Sequence, residues 1–328
     1  MKYFVQCIGF AAVLFLSSCV KDTDEFIADA NQIIGPDITW YSSVSGWMPA
    51  NVLKNSLSIN ADIDSISDVS IENTITTNSG LECTIDPNSF VDASDLPISG
   101  SIAIESKLIT KKGDFIKMSR PTISENKILV SAGAFFIQAT KSGKQLKLAN
   151  GKSIRLKYKS SGANLYPHLT LFNIDETDPE KMNCIENADT LSGVNKIYYS
   201  ADEYQIKTNK LSWANCYHEQ DVTGLQLTKI SLTLPVNYTN ANTLAYVIFN
   251  SQNTVIPLKG DISTKKFKSI SIPVGISARV VTITKEGNFY YLGNYSFTTN
   301  DSVSGYQSIS VTPTKKSFQY ITEFLDNL

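Results

Sequence analysis

The chain has 328 residues, with 29 Lys+Arg against 31 Asp+Glu and only two histidines, His168 and His218. Charged residues make up 18% and hydrophobic ones 42%, where about 25% charged is usual. The balance argues against a nucleic-acid binder and a disordered chain, the small histidine inventory argues against multi-histidine metal centres, and the length suits about two domains.

Lys2 supplies a basic start, residues 4–16 form an apolar run, and Leu16-Ser17-Ser18-Cys19 follows at once. At about 1.5 Å per residue the run is too short to cross a ~30 Å hydrocarbon core, so residues 1–18 read as a signal peptide. The four residues match a bacterial lipobox, in which a lipoprotein peptidase cuts before a diacylated cysteine. Cys19 is therefore the expected lipidation site, the membrane a partner through that lipid, and residues 19–37 a tether. Val20 is not the Asp that retains lipoproteins in the inner membrane of many Gram-negatives. Lys21-Asp22-Thr23-Asp24-Glu25 resembles the acidic export signal of Bacteroidota surface lipoproteins. The expected location is the outer membrane, lipid-anchored and facing the cell surface.

Downstream, apolar positions repeat with period two. Ile102 and Ile104 alternate with Ser101, Ala103 and Glu105, and Ile154, Leu156 and Tyr158 alternate with Arg155 and Lys157, the pattern of half-buried strands. Further strands are expected over 38–42, 70–76, 127–130, 135–140, 244–249, 266–272, 277–284 and 289–298. Over 225–234, Leu225, Leu227, Ile230, Leu232 and Leu234 read as inward-facing with a bulge at Lys229. Asn150-Gly151 and Glu286-Gly287-Asn288 read as hairpin turns. Short strands without alternating helices point to a mainly β fold of two antiparallel β-sandwich units, immunoglobulin-like in type. At the C-terminal end Phe318, Ile321, Phe324, Leu325 and Leu328 share one helical face, which predicts an amphipathic helix over 314–328 capped by Thr314 and packed across a sheet edge or between domains.

These signals divide the chain into an N-terminal sandwich over 38–160, a polar connecting region over 161–223, a C-terminal sandwich over 224–313 and the helix. With Cys7 removed and Cys19 lipidated, Cys83, Cys184 and Cys216 remain. Buried free thiols are the default reading for these three, and a Cys184–Cys216 disulfide is the alternative.

Ile85-Asp86-Pro87-Asn88-Ser89-Phe90, Leu129-Val130-Ser131-Ala132-Gly133, Phe136-Ile137-Gln138-Ala139, Trp213-Ala214-Asn215-Cys216 and Ile272-Pro273-Val274-Gly275 resemble landmarks of a family of uncharacterised Bacteroidota envelope lipoproteins with a ZU5-like β-sandwich. Ser212 and Tyr217 stand where that family tends to carry Gly and Asp. The resemblance implies fold and envelope location; it supplies no activity.

Catalytic patterns fail on inspection. Gly151-Lys152-Ser153 lacks the glycine of a phosphate loop five positions earlier, where Leu146 stands. Cys216, His218 and Gln220 share a strand face but give too few ligands for zinc. Residues 175–180 lack the spacing of a calcium loop and read as an acidic turn. Trp40, Tyr41, Trp47, Tyr290, Tyr291 and Tyr295 read as core rings before they read as a sugar platform. Asp64-Ser65-Ile66, Asp189-Thr190-Leu191 and Asp301-Ser302-Val303 resemble Bacteroidota O-glycosylation acceptors, making Ser65, Thr190 and Ser302 candidates. The expected function is a non-catalytic surface interaction or structural module with no cofactor, no metal and no nucleic-acid partner, contacting a surface glycan or protein. The alternatives are a carboxylate-based envelope hydrolase, with Glu219 and Asp221 beside His218 as its acids, and a fimbrial or adhesin-type assembly subunit. Against fimbrillin-type maturation, the three arginines, Arg120, Arg155 and Arg279, all lie late.

Overall fold

Alternation in sequence becomes alternation in burial. Over Ile154–Lys159 every second side chain is buried, and the same holds over most of Ile102–Ile109. The computed structural model describes residues 38–159, 168–185, 193–200 and 202–328. Its first half contains α1 (Pro49–Leu57), β1 (Asp62–Ile66), β2 (Asn73–Thr76), β3 (Glu82–Ile85), β4 (Phe90–Val91), β5 (Ile102–Ile109), α2 (Lys112–Lys117), β6 (Ile123–Ser124), β7 (Lys127–Lys141), β8 (Lys144–Gln145), β9 (Lys147–Leu148) and β10 (Ile154–Lys159). After these come β11 (Thr170–Ile174), β12 (Met182–Cys184), β13 (Lys196–Ser200), β14 (Glu203–Thr208) and β15 (Trp213–Glu219). The remainder forms β16 (Leu227–Thr233), β17 (Thr243–Phe249), β18 (Val255–Pro257), β19 (Lys259–Asp261), β20 (Lys266–Lys268), β21 (Ile272–Pro273), β22 (Ser277–Glu286), β23 (Phe289–Thr298), β24 (Tyr306–Ser310), β25 (Thr314–Lys316) and α3 (Phe318–Asp326).

Two sheets make the first sandwich. One runs β1-β5-β7-β15-β11-β12 and the other β13-β14-β10-β3-β2. Ile104, Phe135, Ile137 and Cys216 of the first meet Cys83, Leu156, Tyr158 and Ile206 of the second in one core. The second sandwich stacks β19-β20-β16-β21 on β18-β17-β22-β23-β25, around Ile230, Leu232, Val247, Phe249, Phe267 and Val280. Among the described residues pairing is antiparallel except for β24, which runs parallel to β16. A third cluster lies between the sandwiches and is filled by the helices. Leu53 and Leu57 of α1, Phe115 and Ile116 of α2 and Ile321 and Leu325 of α3 pack with Trp213, Tyr217, Tyr246, Ile283 and Leu292. Each such side chain, once buried, contributes about 1.5–3 kcal/mol. Close approach of α2 and α3 depends on Gly113, where a Cβ would stand 1.7 Å from the Leu325 carbonyl oxygen.

Several expectations from sequence are corrected. The region read as a polar connector supplies β11, β12 and β15 to one sheet of the first sandwich and β13 and β14 to the other. Its polar pattern comes from outward faces of half-buried strands. Residues 38–42 form no strand. The segments 127–130 and 135–140 are one strand, β7, bent by a bulge: Cys216 pairs with Gly133 and Tyr217 with Ser131, leaving Ala132 extra. Because the side-chain period is two, that extra residue reverses the facing, and Ala132 enters the first core while Ala134 enters the helix layer. No inward run spans Lys229: β16 pairs with β24 without a break over Lys229–Thr233, and Leu225 and Leu227 are exposed. Asn150-Gly151 is a turn but not a hairpin, since β9 pairs with β4 and β10 with β3 and β14. The C-terminal helix starts at Phe318 under a Ser317 cap, because Thr314–Lys316 is drawn into the sheet beside β23.

Candidate contact surface

Cys19 and Thr190 lie outside the described residues. Cys216 is a free thiol, wholly buried, so it forms no bridge with Cys184. The strands explain why: β12 and β15 are separated by β11, about 9–10 Å at ordinary strand spacing, beyond the ~5.5 Å Cα approach of a disulfide. Burial pushes the Cys216 thiol up to about 12, which withholds the thiolate a metal would need. Burial lowers the pKa of His218, and the Gln220 side chain accepts from Gln252 Nε2 at 2.8 Å. Glu219 pairs with Lys127 at 2.9 Å, and Asp221 Oδ1 accepts from the Thr223 amide at 2.9 Å, a bond that holds its carboxyl below the usual range. Both carboxylates beside His218 therefore have structural tasks. His168 is exposed just ahead of β11.

In the acidic turn, Asp175 Oδ1 accepts from the Thr177 amide and hydroxyl at 2.8 and 2.6 Å. Glu176 pairs with Arg120 at 2.9 Å and Glu180 with Lys259 at 2.5 Å. Ser65 is exposed on β1 and not in a turn, whereas Ser302 lies in a loop beside a fully exposed Val303.

The core reading of the aromatics holds for some rings and fails for others. Trp40 packs on Phe267 at 5.0 Å, Tyr291 on Tyr238 at 5.4 Å and Tyr290 on Phe318 at 5.2 Å. Trp47 and Tyr295 are exposed, at 75% and 49%. Tyr295 is uncovered because β25 flanks β23 only over Tyr290, Tyr291 and Leu292.

Around Tyr295 and the β22–β23 turn the second sandwich presents a basic and aromatic surface. The register sets Lys285 and Lys316 on either side of Tyr290, and Lys315 beside Tyr291. Lys315 Nζ stands 3.3 Å from the centre of the Phe289 ring, Lys316 Nζ 4.6 Å from that of Tyr320 and Lys285 Nζ 5.6 Å from that of Tyr290. Cation–π contacts of this kind stabilise by about 0.5–1 kcal/mol at exposed sites and leave the charge uncancelled. Among the described residues none of the three ammonium groups lies within ion-pair distance of a carboxylate. Two hollows flank this ridge: one of about 450 Å³ beside Phe289, Lys315 and Phe318, and one of about 300 Å³ lined by Leu292, Asn294, Tyr295, Val311, Tyr320 and Phe324.

The outer face of β13-β14-β10-β3-β2 makes a useful contrast. A hollow of about 320 Å³ there is lined by Arg155, Lys157, Tyr198 and Gln205, but Arg155 pairs with Glu72 and Asp86 and Lys157 with Glu203. Those cations are neutralised by their own sheet, while the ridge keeps its charge available. Sequence reading missed Phe289, Lys315, Lys316 and Tyr320. Lys315-Lys316 is a visible signal, but the helix expected over 314–328 includes both, where the structure has β25 beside β23. The chain matches no protein-family model and no curated protein.

Proposed function

We propose that this chain is a lipid-anchored envelope lipoprotein, attached to the outer membrane through Cys19 and displayed at the cell surface, that works by contact and not by catalysis. The lipobox at Leu16-Ser17-Ser18-Cys19 supports the anchor. The observation that carries the contact reading is the ridge of Lys285, Lys315 and Lys316, whose charges rest on aromatic rings and, among the described residues, pair with no carboxylate. Such a ridge is complementary to an acidic surface and attracts it most strongly at low ionic strength.

Cys19→Ser is expected to move the protein from the membrane fraction to a soluble one; continued membrane attachment rules out the lipid anchor. The Cys19→Ser chain is expected to bind intact cells of its source in a salt-dependent manner. Reversing Lys285, Lys315 and Lys316 to Glu should weaken that binding at least tenfold. Turnover of a glycoside, ester or peptide that disappears with Glu219→Ala or Asp221→Ala would move the assignment to a hydrolase.

A further inference from the structure

We infer that the edge of β23 beyond β25 is a strand-addition site, which takes an extended acidic segment of a partner polypeptide as one more strand of the second sandwich. This rests on the contact reading of the basic ridge and names the partner's chemistry.

The argument starts from which backbone groups β23 leaves outward. The Thr299 amide donates to the Ile276 carbonyl across the Ser277↔Thr298 pair, and the register with β22 is uniform over the whole hairpin. Odd-numbered residues of β23 therefore turn their N–H and C=O towards β22, and even-numbered ones turn theirs away. Of the outward set, Tyr290 and Leu292 are met by Lys316 and Thr314 of β25. At the far end the Gln307 side chain imitates a strand: its Nε2 donates to the Thr298 carbonyl at 3.0 Å and its Oε1 accepts from the Asn300 amide at 2.8 Å. Between them, Asn294 and Ser296 are exposed, and β25 does not reach them. Pairing stops because the chain changes sheets here, with Pro313 lacking an N–H and Val311 already donating to Thr233 of the other sheet.

A pair of outward residues at two-residue spacing, closed at both ends by strand-like partners, has the donor and acceptor pattern of a missing rung, which an extended polypeptide supplies. The hollow beside it fixes the side-chain preference. Leu292, Val311 and Phe324 form an apolar floor, and Lys316 stands at the rim. Because Leu292 and Lys316 lie on the same face of the sheet, the incoming strand sets an apolar side chain and, two residues away, a carboxylate into this one hollow.

The test uses the Cys19→Ser chain and a hexapeptide that carries valine and glutamate two residues apart, so that both face the hollow. Saturating peptide is expected to slow amide exchange at Asn294 and Ser296, with little change at Tyr295, whose amide already bonds to β22. Ser296→Pro removes an outward N–H that no bond among the described residues uses, and should weaken peptide binding at least tenfold while leaving the unfolding midpoint nearly unchanged. N-methylating the peptide at every second residue should abolish binding in one phase of the alternation only. Equal binding by both N-methylated peptides, unaltered binding by Ser296→Pro, or no protection at saturation overturns strand addition. If cell binding falls with the lysine reversals but not with Ser296→Pro, the contact reading stands and this inference fails.

Discussion

A Cβ built on Gly133 would stand 3.0 Å from the ring of Tyr158, so the bulge in β7 and the packing of the opposite sheet meet at one atom's width. Gly133 also has φ +137, a backbone conformation that costs an L side chain about 1–3 kcal/mol. Tyr158 is fully buried and has no room to withdraw. Gly133→Ala is expected to lower stability by about 2–4 kcal/mol, read as a lower urea midpoint with unchanged slope. A loss under 1 kcal/mol would show that the bulge relaxes freely.

Cys83 and Cys216 give a second test. Burial pushes both thiols from their ordinary 9.0 up to about 12. Between pH 9 and 12 the unfolded chain releases these protons and the folded one keeps them, so stability is full below pH 9 and falls as pH rises, by about 1.4 kcal/mol per thiol per pH unit. Burial raises Tyr217 and Tyr246 in the same direction. Alkylation of either cysteine at pH 8 should proceed only at the rate of global opening; rapid labelling of Cys83 or Cys216 in the native protein, located by peptide mapping, contradicts this.

Ser317→Ala should cost about 1 kcal/mol, because Ser317 Oγ accepts from the Tyr320 amide at 3.0 Å and caps α3. Thr314→Ala, in β25, should cost less than a helix cap would. Denaturation of both variants under one set of conditions distinguishes the two assignments of the helix start.

Of the described acceptor sites, Ser302 fits modification better than Ser65. It lies in an exposed loop, and its hydroxyl contacts only that of Ser304 at 3.0 Å, whereas Ser65 belongs to a paired strand. Peptide mapping of protein from its natural source should find hexose-type mass on the segment containing Ser302; an unmodified segment dismisses the idea.

The hairpin over 277–298 was legible because its information is local: alternation on both arms and a two-residue Gly287-Asn288 turn fix the register. The helical face from Phe318 onward was legible for the same reason. What escaped was set by distant partners. Thr314–Lys316 is a strand because β23 lies beside it, and the connector reading failed because β15 gains its central place from β7, some eighty residues earlier. The ridge escaped too, since its character comes from three lysines that pair with no carboxylate among the described residues, and no local pattern encodes that arrangement in space.

The helix layer has a consequence for how the protein fails. Leu53, Phe115, Ile321 and Leu325 belong as much to Trp213 and Tyr217 of one sandwich as to Tyr246 and Leu292 of the other. Neither sandwich can open that face without stripping the lining from its neighbour. The four main sheets therefore melt as one cooperative object, and damage to either half is registered as lost abundance of the whole.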